Sequence, residues 1–223
     1  MREDFCGTFA NCCEWVRHGA ERRAVGVDLD LEPLEYGCDH YRTELNLSQQ
    51  LRVQILHENV LTSGLPRADV IAALNFSCFI LKRRTDLLAY VRNCHQALEP
   101  GGLLVLDCFG GPAAHEPNEE TTEGEGFTYF FEQESFDPLT HEALFYIHFQ
   151  RERERKRRRV FTLDARMWTI PELRDALFEA GFAAARIYWA VESSTGDDDI
   201  EAVLVERIDE EPDSWESFVV GLR

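Results

Sequence analysis

The first thirty residues constrain the fold of this chain more than any other stretch. Residues 1–6 must hold a first strand that leads into Gly7, residues 9–17 have a helical pattern, and the apolar run 24–28 ends in Asp28. A glycine just past a first strand lets the backbone approach a ligand closely. An acid about twenty residues later, after the second strand, binds ribose hydroxyls in nucleotide-binding α/β sheets. The stretch therefore predicts an α/β fold with a nucleotide-type site at Gly7 and Asp28.

Strands and helices continue to alternate in the first half of the chain. Further strands are predicted at 51–56, 68–74 and 103–109, with helices at 31–47 and 85–98. Strict alternation indicates a parallel sheet with right-handed crossovers. The near-continuous apolar run 68–74 is typical of a parallel strand that is buried on both faces.

The second half breaks this alternation. Its predicted elements are a mobile acidic loop at 110–126, extended segments at 127–136, 142–149 and 159–168, a helix at 170–180, and strands at 184–191 and 200–207 joined by loop 193–199. The three extended segments are expected to form a small antiparallel insertion above the main sheet. The last two strands are expected to pair as a hairpin, and residues 208–223 to form a loose acidic tail. The whole chain, 1–223, is predicted to be one domain, with the insertion at 110–168.

The charge balance favours a small-molecule ligand. Acidic residues outnumber basic ones by 41 to 23, for a formal net charge of -18. Binding to a phosphate backbone needs clustered Lys and Arg, so we expect no nucleic-acid partner. The basic run 151–159 begins with alternating signs and lies between two extended segments. A solvated hairpin end is therefore favoured over a nucleic-acid or phospholipid patch.

The seven cysteines show no C-x-x-C pair and no histidine at zinc spacing, so we expect reduced structural thiols and no metal site. No apolar run approaches about 18 residues, and no charged-then-apolar leader is present. These features predict a cytoplasmic protein without a membrane partner, as a monomer or homodimer. The chain begins abruptly at its first strand, which leaves open whether it is a minimal form or a piece of a longer protein.

Several motifs in register carry a family resemblance: Cys6-Gly7-Thr8, Asp28, Glu58-Asn59-Val60, residues 98–102, and residues 166–173 with 180–182. The chain resembles the class I S-adenosylmethionine-dependent methyltransferases, in their bacterial-type small-molecule branch. The resemblance implies a Rossmann-like seven-stranded sheet with an antiparallel last strand. It also implies S-adenosylmethionine as cofactor, and transfer of a methyl group to N or O of a small-molecule acceptor.

The resemblance implies a cofactor site at the ends of the first four strands, made of Glu3, Cys6, Gly7, Thr8, Asp28, Leu29, Asn59, Val60, Asn75 and Phe76. Gly7 and Thr8 would lie under the methionine moiety. Asp28 would accept both ribose hydroxyls, because a carboxylate can take two O–H donors. Asn59 and Val60 would meet the adenine, while the last two residues would face the transferred methyl.

Three departures from the family pattern leave an alternative open. Phe5 and Phe9 stand where the family usually has glycines, and Asn59 replaces an acid. The two phenylalanines, together with the abrupt start at the first strand, motivate a non-catalytic methyltransferase-like binding module as the alternative. A nicotinamide-dependent oxidoreductase ranks third, because the triple-glycine motif G-x-G-x-x-G is missing. Asn75 matches only one residue of an Asn-Pro-Pro-aromatic motif.

The insertion is dense in aromatic residues and supplies the candidate catalytic groups. If it folds over the cofactor, some of its rings would line a pocket and stabilise a sulfonium. Glu132, Asp164 and Arg166 are the polar groups expected to reach into that pocket. A structural ion pair explains the same residues equally well, so both interpretations stand.

Overall fold

The computed structural model describes residues 1–192 and 200–223. The strands are β1 (Arg2–Asp4), β2 (Ala24–Asp28), β3 (Val53–His57), β4 (Ala68–Ala73), β5 (Leu98–Gly110), β6 (Asn118–Gly124), β7 (Phe127–Phe136), β8 (Glu142–Arg151), β9 (Arg157–Arg166), β10 (Ala184–Glu192), β11 (Ile200–Val205) and β12 (Trp215–Leu222). The helices are α1 (Ala10–Arg17), α2 (Leu31–His40), α3 (Leu47–Gln50), α4 (Arg84–Ala97) and α5 (Ile170–Ala180). The predicted loop 193–199 lies outside the described residues.

The main sheet has the order β3-β2-β1-β4-β5-β12-β10-β11. It is parallel from β3 to β5, and β12 runs antiparallel to both β5 and β10. The predicted Rossmann-like fold with an antiparallel last strand and a small antiparallel insertion is confirmed. The sheet has eight strands instead of the expected seven, because β12 lies between β5 and the predicted pair of β10 and β11.

The segment expected to be a loose tail supplies a central strand instead. Residues 215–222 form β12, and Val219 within it is fully buried. A Cβ added at Gly221 would lie 2.6 Å from Leu177 on α5, so the helix packs directly on this strand. The expectation of a loose tail is wrong for residues 215–222. They include a short apolar run, although acidic residues come directly before Trp215.

The helix before β10 begins and ends as its sequence predicts. Thr169 and Glu172 form a capping box at the start of α5, with Pro171 in the first turn. Gly181 closes the helix with a φ of 101°. Trp168, just before the cap, is fully buried and donates to the Leu81 carbonyl over 3.1 Å. The Trp168 hydrogen bond attaches the end of the insertion to the segment between β4 and α4.

The insertion is a four-stranded antiparallel sheet, β6-β7-β8-β9. Three of its strands were predicted, but residues 118–124 of the expected loop form β6, its edge strand. The residues of β6 are polar on both faces, so no hydrophobic alternation marks the strand in the sequence. The expectation of a mobile loop across 110–126 is therefore wrong for this part.

The cysteines behave as core residues. All seven are unpaired, and six of them are buried. Burial raises the pKa of Cys78, Cys94 and Cys108, which keeps these thiols protonated. In the described part of the chain, no helix combines the length and apolarity needed to span a bilayer.

Candidate active site

The loop between β1 and α1 has the left-handed conformation that glycines favour. Phe5, Gly7 and Phe9 have φ angles of 57°, 51° and 47°. A left-handed conformation costs a residue with a side chain roughly 1–2 kcal/mol. Packing offsets that cost, since Phe9 is fully buried and the Phe5 ring lies 5.7 Å from the Tyr90 ring. The loop therefore keeps a glycine-type backbone although two phenylalanines stand in it.

Asp28 holds this loop from the end of β2. Its Oδ2 accepts the Gly7 N–H at 2.7 Å, and its Oδ1 accepts the Asp30 N–H at 2.9 Å. Each carboxylate oxygen retains a lone pair for a further donor. A Cβ built on Gly7 meets no atom within 4 Å, so there is open space in front of the loop. This carboxylate and this space fit a diol bound beside the turn.

The chain after β3 lies next to Asp28. The Glu58 N–H donates to the Asp28 carbonyl at 2.9 Å, which brings Asn59 and the buried Val60 to the same edge. The Asn59 Oδ1 accepts the Leu61 N–H at 2.8 Å. Its Nδ2 is therefore the group best placed to meet a ligand as a donor. Leu29, 65% exposed, lies directly after Asp28 and offers an apolar contact at this edge.

Three of the predicted cofactor residues, Glu3, Cys6 and Thr8, make contacts inside the protein that hold the loop in place. Glu3 is buried, and its carboxylate accepts from Asn11 Nδ2 at 2.7 Å and from the Cys12 thiol at 3.3 Å. Burial raises the pKa of Glu3. Cys6 is buried, and the Thr8 carbonyl oxygen would lie 2.2 Å from a Cβ added at Gly37 of α2. Glu3 thus contacts α1, away from the open space.

The end of β4 makes a second strained turn. Asn75 and Phe76 both have a φ of 58°, and the register of Asp4 with Ala73 places them beside the β1 loop. The Phe76 N–H donates to the Asp107 carboxylate at 2.8 Å. Asp107 is only 8% exposed, and this burial raises its pKa to about 6. A buried carboxylate on β5 therefore fixes a turn that its own sequence disfavours.

A cavity of about 330 Å³ opens between these turns and the insertion sheet, and we call it the central cavity. Its lining residues are Asn75, Phe76, Phe109, Ala113, Ala114, Asn118, Glu120, Thr122, Tyr129, Phe131, Gln133, Ile147, Leu163, Ser214 and Glu216. Its aromatic wall is continuous, since the Phe109 ring lies 4.7 Å from the Phe76 ring and 6.2 Å from the Phe131 ring. Two carboxylates, Glu120 and Glu216, face this wall.

The two carboxylates come from the strands that were missed in the sequence. Glu120 lies on β6, and Glu216 lies on β12. Partial burial of its carboxyl, together with the nearby charge of Glu120, raises the pKa of Glu216. Without the two strands, nothing in the sequence separates these acids from the other acidic residues of the chain.

Residues 4–106 match the family model described as a methyltransferase domain. Over this stretch, a little under half of the chain, the sequence is similar to methyltransferases. The match bears out the predicted resemblance and the predicted enzyme class. The sequence has no significant match among curated proteins.

Solved structures share the fold of this methyltransferase at low sequence identity. The CcbJ methyltransferase from Streptomyces caelestis is 19% identical, with a TM-score of 0.70 over 98% of this chain and 81% of that one. CalS10, described as an amino pentose methyltransferase from Micromonospora echinaspora, is 16% identical, with a TM-score of 0.64 over 100% and 82%. KedS8, a sugar N-methyltransferase from Streptoalloteichus, is 18% identical, with a TM-score of 0.61 over 100% and 78%.

The three candidate catalytic residues do not line the central cavity of the methyltransferase. Successive residues of a strand point to opposite faces, and the odd-numbered residues of β7 and β9 line the cavity. Glu132 therefore lies on the outer face, bound to His148, and Asp164 pairs with Lys82 at 2.8 Å. Arg166 pairs with Glu172 at 2.9 Å, with its guanidinium 3.8 Å from the Trp168 ring. The expectation that they reach into a pocket is not met, because the strand register turns them outward.

Glu119, Glu132 and His148 come close enough together on this outer face to suggest metal ligands. The His148 Nδ1, however, accepts the Arg159 backbone N–H at 2.7 Å. The neutral ring then carries its proton on Nε2 and donates to Glu132, whose pKa is lowered by this bond. The Lys156 ammonium also contacts Glu119. The cluster is thus a closed hydrogen-bond network without a free lone pair on Nε2 for a metal.

Proposed function

We propose that this methyltransferase transfers the methyl group of S-adenosylmethionine to an amino nitrogen of a small molecule bound in the central cavity. The observation that carries the proposal is the pair of carboxylates, Glu120 and Glu216, opposite an aromatic wall. Two carboxylates attract an ammonium group, and ring faces add a favourable contact with a cation. A hydroxyl acceptor would gain little from a doubled negative charge.

The cofactor would lie along the carboxyl ends of β1 to β4. Among the residues there, Asp28 fits the cofactor best. We assign the ribose hydroxyls to Asp28, which retains lone pairs on both oxygens beside open space. Asn59, Val60 and Leu29 would contact the adenine at the neighbouring edge. The loop at Gly7 and Thr8 would lie under the methionine moiety, and Asn75 and Phe76 would face the transferred methyl group.

The residues of the chain orient the acceptor and receive its proton. When bound, S-adenosylmethionine supplies a methyl carbon activated by a sulfonium. An amine must be neutral to act as the nucleophile, so the site has to take a proton from an ammonium. Glu216 suits this role because its raised pKa brings its proton affinity closer to that of the acceptor amine. Phe76, Phe109 and Phe131 exclude water and fix the approach.

The structural neighbours support nitrogen as the acceptor atom. Their names describe a sugar N-methyltransferase, an amino pentose methyltransferase and a glycopeptide N-methyltransferase. They are 16–18% identical to this chain and share its fold. Glu120 and Glu216 in the central cavity support nitrogen independently of these neighbours.

Calorimetric binding of S-adenosylhomocysteine tests the cofactor assignment. Asp28→Asn weakens one charged hydrogen-bond acceptor to a neutral one, so we expect an affinity loss on the order of 10- to 100-fold. Asp30→Ser is the matched control, because serine also caps a helix N-terminus and we expect unchanged affinity. Folded wild-type protein that binds no S-adenosylhomocysteine at millimolar concentration would overturn the assignment.

Mass spectrometry of methylated products tests the acceptor atom. We would compare amine and alcohol acceptors of matched shape, such as glucosamine and glucose, within a wider panel. We expect methylation of amines only, and loss of most activity in Glu216→Gln. Glu123→Gln, on the outer face of β6, is the control and should retain full activity. Methylation of alcohols with equal efficiency would refute nitrogen as the acceptor.

A further inference from the structure

A second groove lies at the far end of the insertion sheet. It has a volume of about 440 Å³ and is lined by Glu125, Gly126, Phe127, Phe149, Arg151, Arg157 and Val160. We call it the arginine groove. Its lining combines aromatic and aliphatic side chains with two arginines. None of its residues belongs to the cofactor site.

The apolar floor of this groove is unusually open to solvent. Phe127 is 42% exposed and the adjoining Phe161 is 59% exposed. Both rings surround Phe149, with centroid separations of 6.3 Å and 6.4 Å. A contiguous exposed patch of large aromatic residues typically marks a binding surface.

The arginine groove and the central cavity lie along one row of aromatic rings. Tyr129 lines the central cavity, and its ring lies 5.5 Å from the ring of Phe149 in the groove. Paired positions on β7 and β8 carry both rings on the same sheet face, Tyr129 opposite Phe149 and Phe131 opposite Ile147. One row of rings therefore leads from the proposed methyl acceptor to the arginines. An elongated molecule that follows this row would reach both sites.

The charge at the groove stands out against the acidity of the chain. The hairpin 151–159 holds seven of the 23 basic residues in a chain of net charge -18. Lys156 and Arg159 contact Glu119 and the Tyr146 ring on the outer sheet face. Arg151 and Arg157 instead line the groove, where Arg157 also lies 3.3 Å from Glu154.

Guanidinium groups and aromatic rings together favour one ligand chemistry. Guanidinium binds phosphate oxygens through two parallel N–H donors, and aromatic floors accept planar or apolar groups. Glu125 is the one acid of the lining and lies on the loop side, after β6. The groove thus attracts an anion linked to an apolar group more strongly than either part alone.

We propose that the arginine groove binds a phosphate ester at the far end of the methyl acceptor. The acceptor is then an elongated amine, with its nitrogen between Glu120 and Glu216 and its phosphate at Arg151 and Arg157. This inference rests on the proposed function for its amine end only. The phosphate end is a property of the groove and can be measured without cofactor or turnover.

Calorimetry with phenyl phosphate tests the groove on the full chain at about 0.15 M salt, where nonspecific attraction is screened. Benzyl alcohol and inorganic phosphate serve as probes of each part alone. We expect phenyl phosphate to bind at least tenfold more tightly than either. The double variant Arg151→Gln and Arg157→Gln should weaken it at least tenfold. Arg155→Gln, on the same hairpin but outside the groove, should stay within twofold.

Three outcomes would overturn the inference. They are no binding of phenyl phosphate to wild-type protein, an equal loss in Arg155→Gln, or tighter binding of phenylacetate, which would assign the groove to carboxylates. Thermal unfolding of each variant separates lost binding from lost structure. If phenyl phosphate binds as expected and no amine is methylated, the proposed function alone fails.

Discussion

Asp107→Asn should change how the stability of the protein depends on pH. Asp107 is 8% exposed, accepts the Phe76 N–H at 2.8 Å, and has a pKa raised by burial from 3.8 to about 6, with a smaller contribution from the charge of Glu216. The folded protein therefore binds this proton more tightly than the unfolded chain. Between these two pKa values the folded state carries more protons, so the free energy of unfolding falls as pH rises.

The size of this effect follows from the shift. A rise of about two in the pKa of Asp107 corresponds to roughly 3 kcal/mol in the free energy of unfolding. This contribution is present below pH 4 and lost by about pH 6 to 7. Asparagine is neutral throughout, so the variant lacks this loss. Urea unfolding at a series of pH values should show Asp107→Asn gaining about 3 kcal/mol relative to wild type between pH 4 and pH 7. Asp69→Asn, at an exposed position on β4, is the control and should show no such gain. Parallel curves for wild type and Asp107→Asn would refute this account of the buried carboxyl.

Two substitutions and one truncation test the residues that hold the site in place. Arg2→Met leaves the Asp4 carboxylate, now paired at 2.8 Å and fully buried, without its partner, and should cost about 3–5 kcal/mol of unfolding free energy by urea titration. Gly37→Ala places a methyl group 2.2 Å from the Thr8 carbonyl, so calorimetry should show weaker binding of S-adenosylhomocysteine even where circular dichroism finds the chain folded. A chain without residues 215–223 loses the strand between β5 and β10 and should show no cooperative thermal transition. Normal cofactor binding in Gly37→Ala, or a cooperative transition in the shortened chain, would contradict the packing described above.

The first half of the fold could be predicted from the sequence because its signals are local. Apolar strands, helix caps and the spacing of Gly7 and Asp28 act over a few residues each, and the structure places the two in direct hydrogen-bond contact. The strands β6 and β12 could not be predicted in this way. β6 is polar on both faces, so its pairing partner, and not its composition, makes it a strand. β12 is a short apolar run that follows an acidic stretch, and its place in the sheet depends on its pairing with β5 and β10.

The acceptor side of the site depends on those two strands, and this explains why its acids were missed. Glu120 and Glu216 become neighbours only through pairings with β7 and β5. The predicted candidates failed to reach the cavity by a single residue of register: Gln133 lines it, whereas Glu132 points away. Sequence alone locates a strand more easily than it tells which of two alternating faces is turned inward.

Phe5 and Phe9 show a different limit. As residue types they departed from the family pattern, yet their backbone has the positive φ angles that glycine would supply. The burial of Phe9 and the contact of Phe5 with Tyr90 hold this conformation. The two residue types indicated a departure from the family, whereas tertiary packing gives the loop a glycine-type backbone.

The position of β12 has a consequence for how the protein is made. A ribosome produces β5 and β10 well before the strand that must enter between them. Until β12 emerges, both neighbours present unpaired backbone edges that favour association with other chains. Glu216 arrives on the same strand, so the nascent chain gains the proposed proton acceptor only as its sheet closes. The unpaired edges of β5 and β10 are therefore covered at the same stage of synthesis at which the acceptor site is completed.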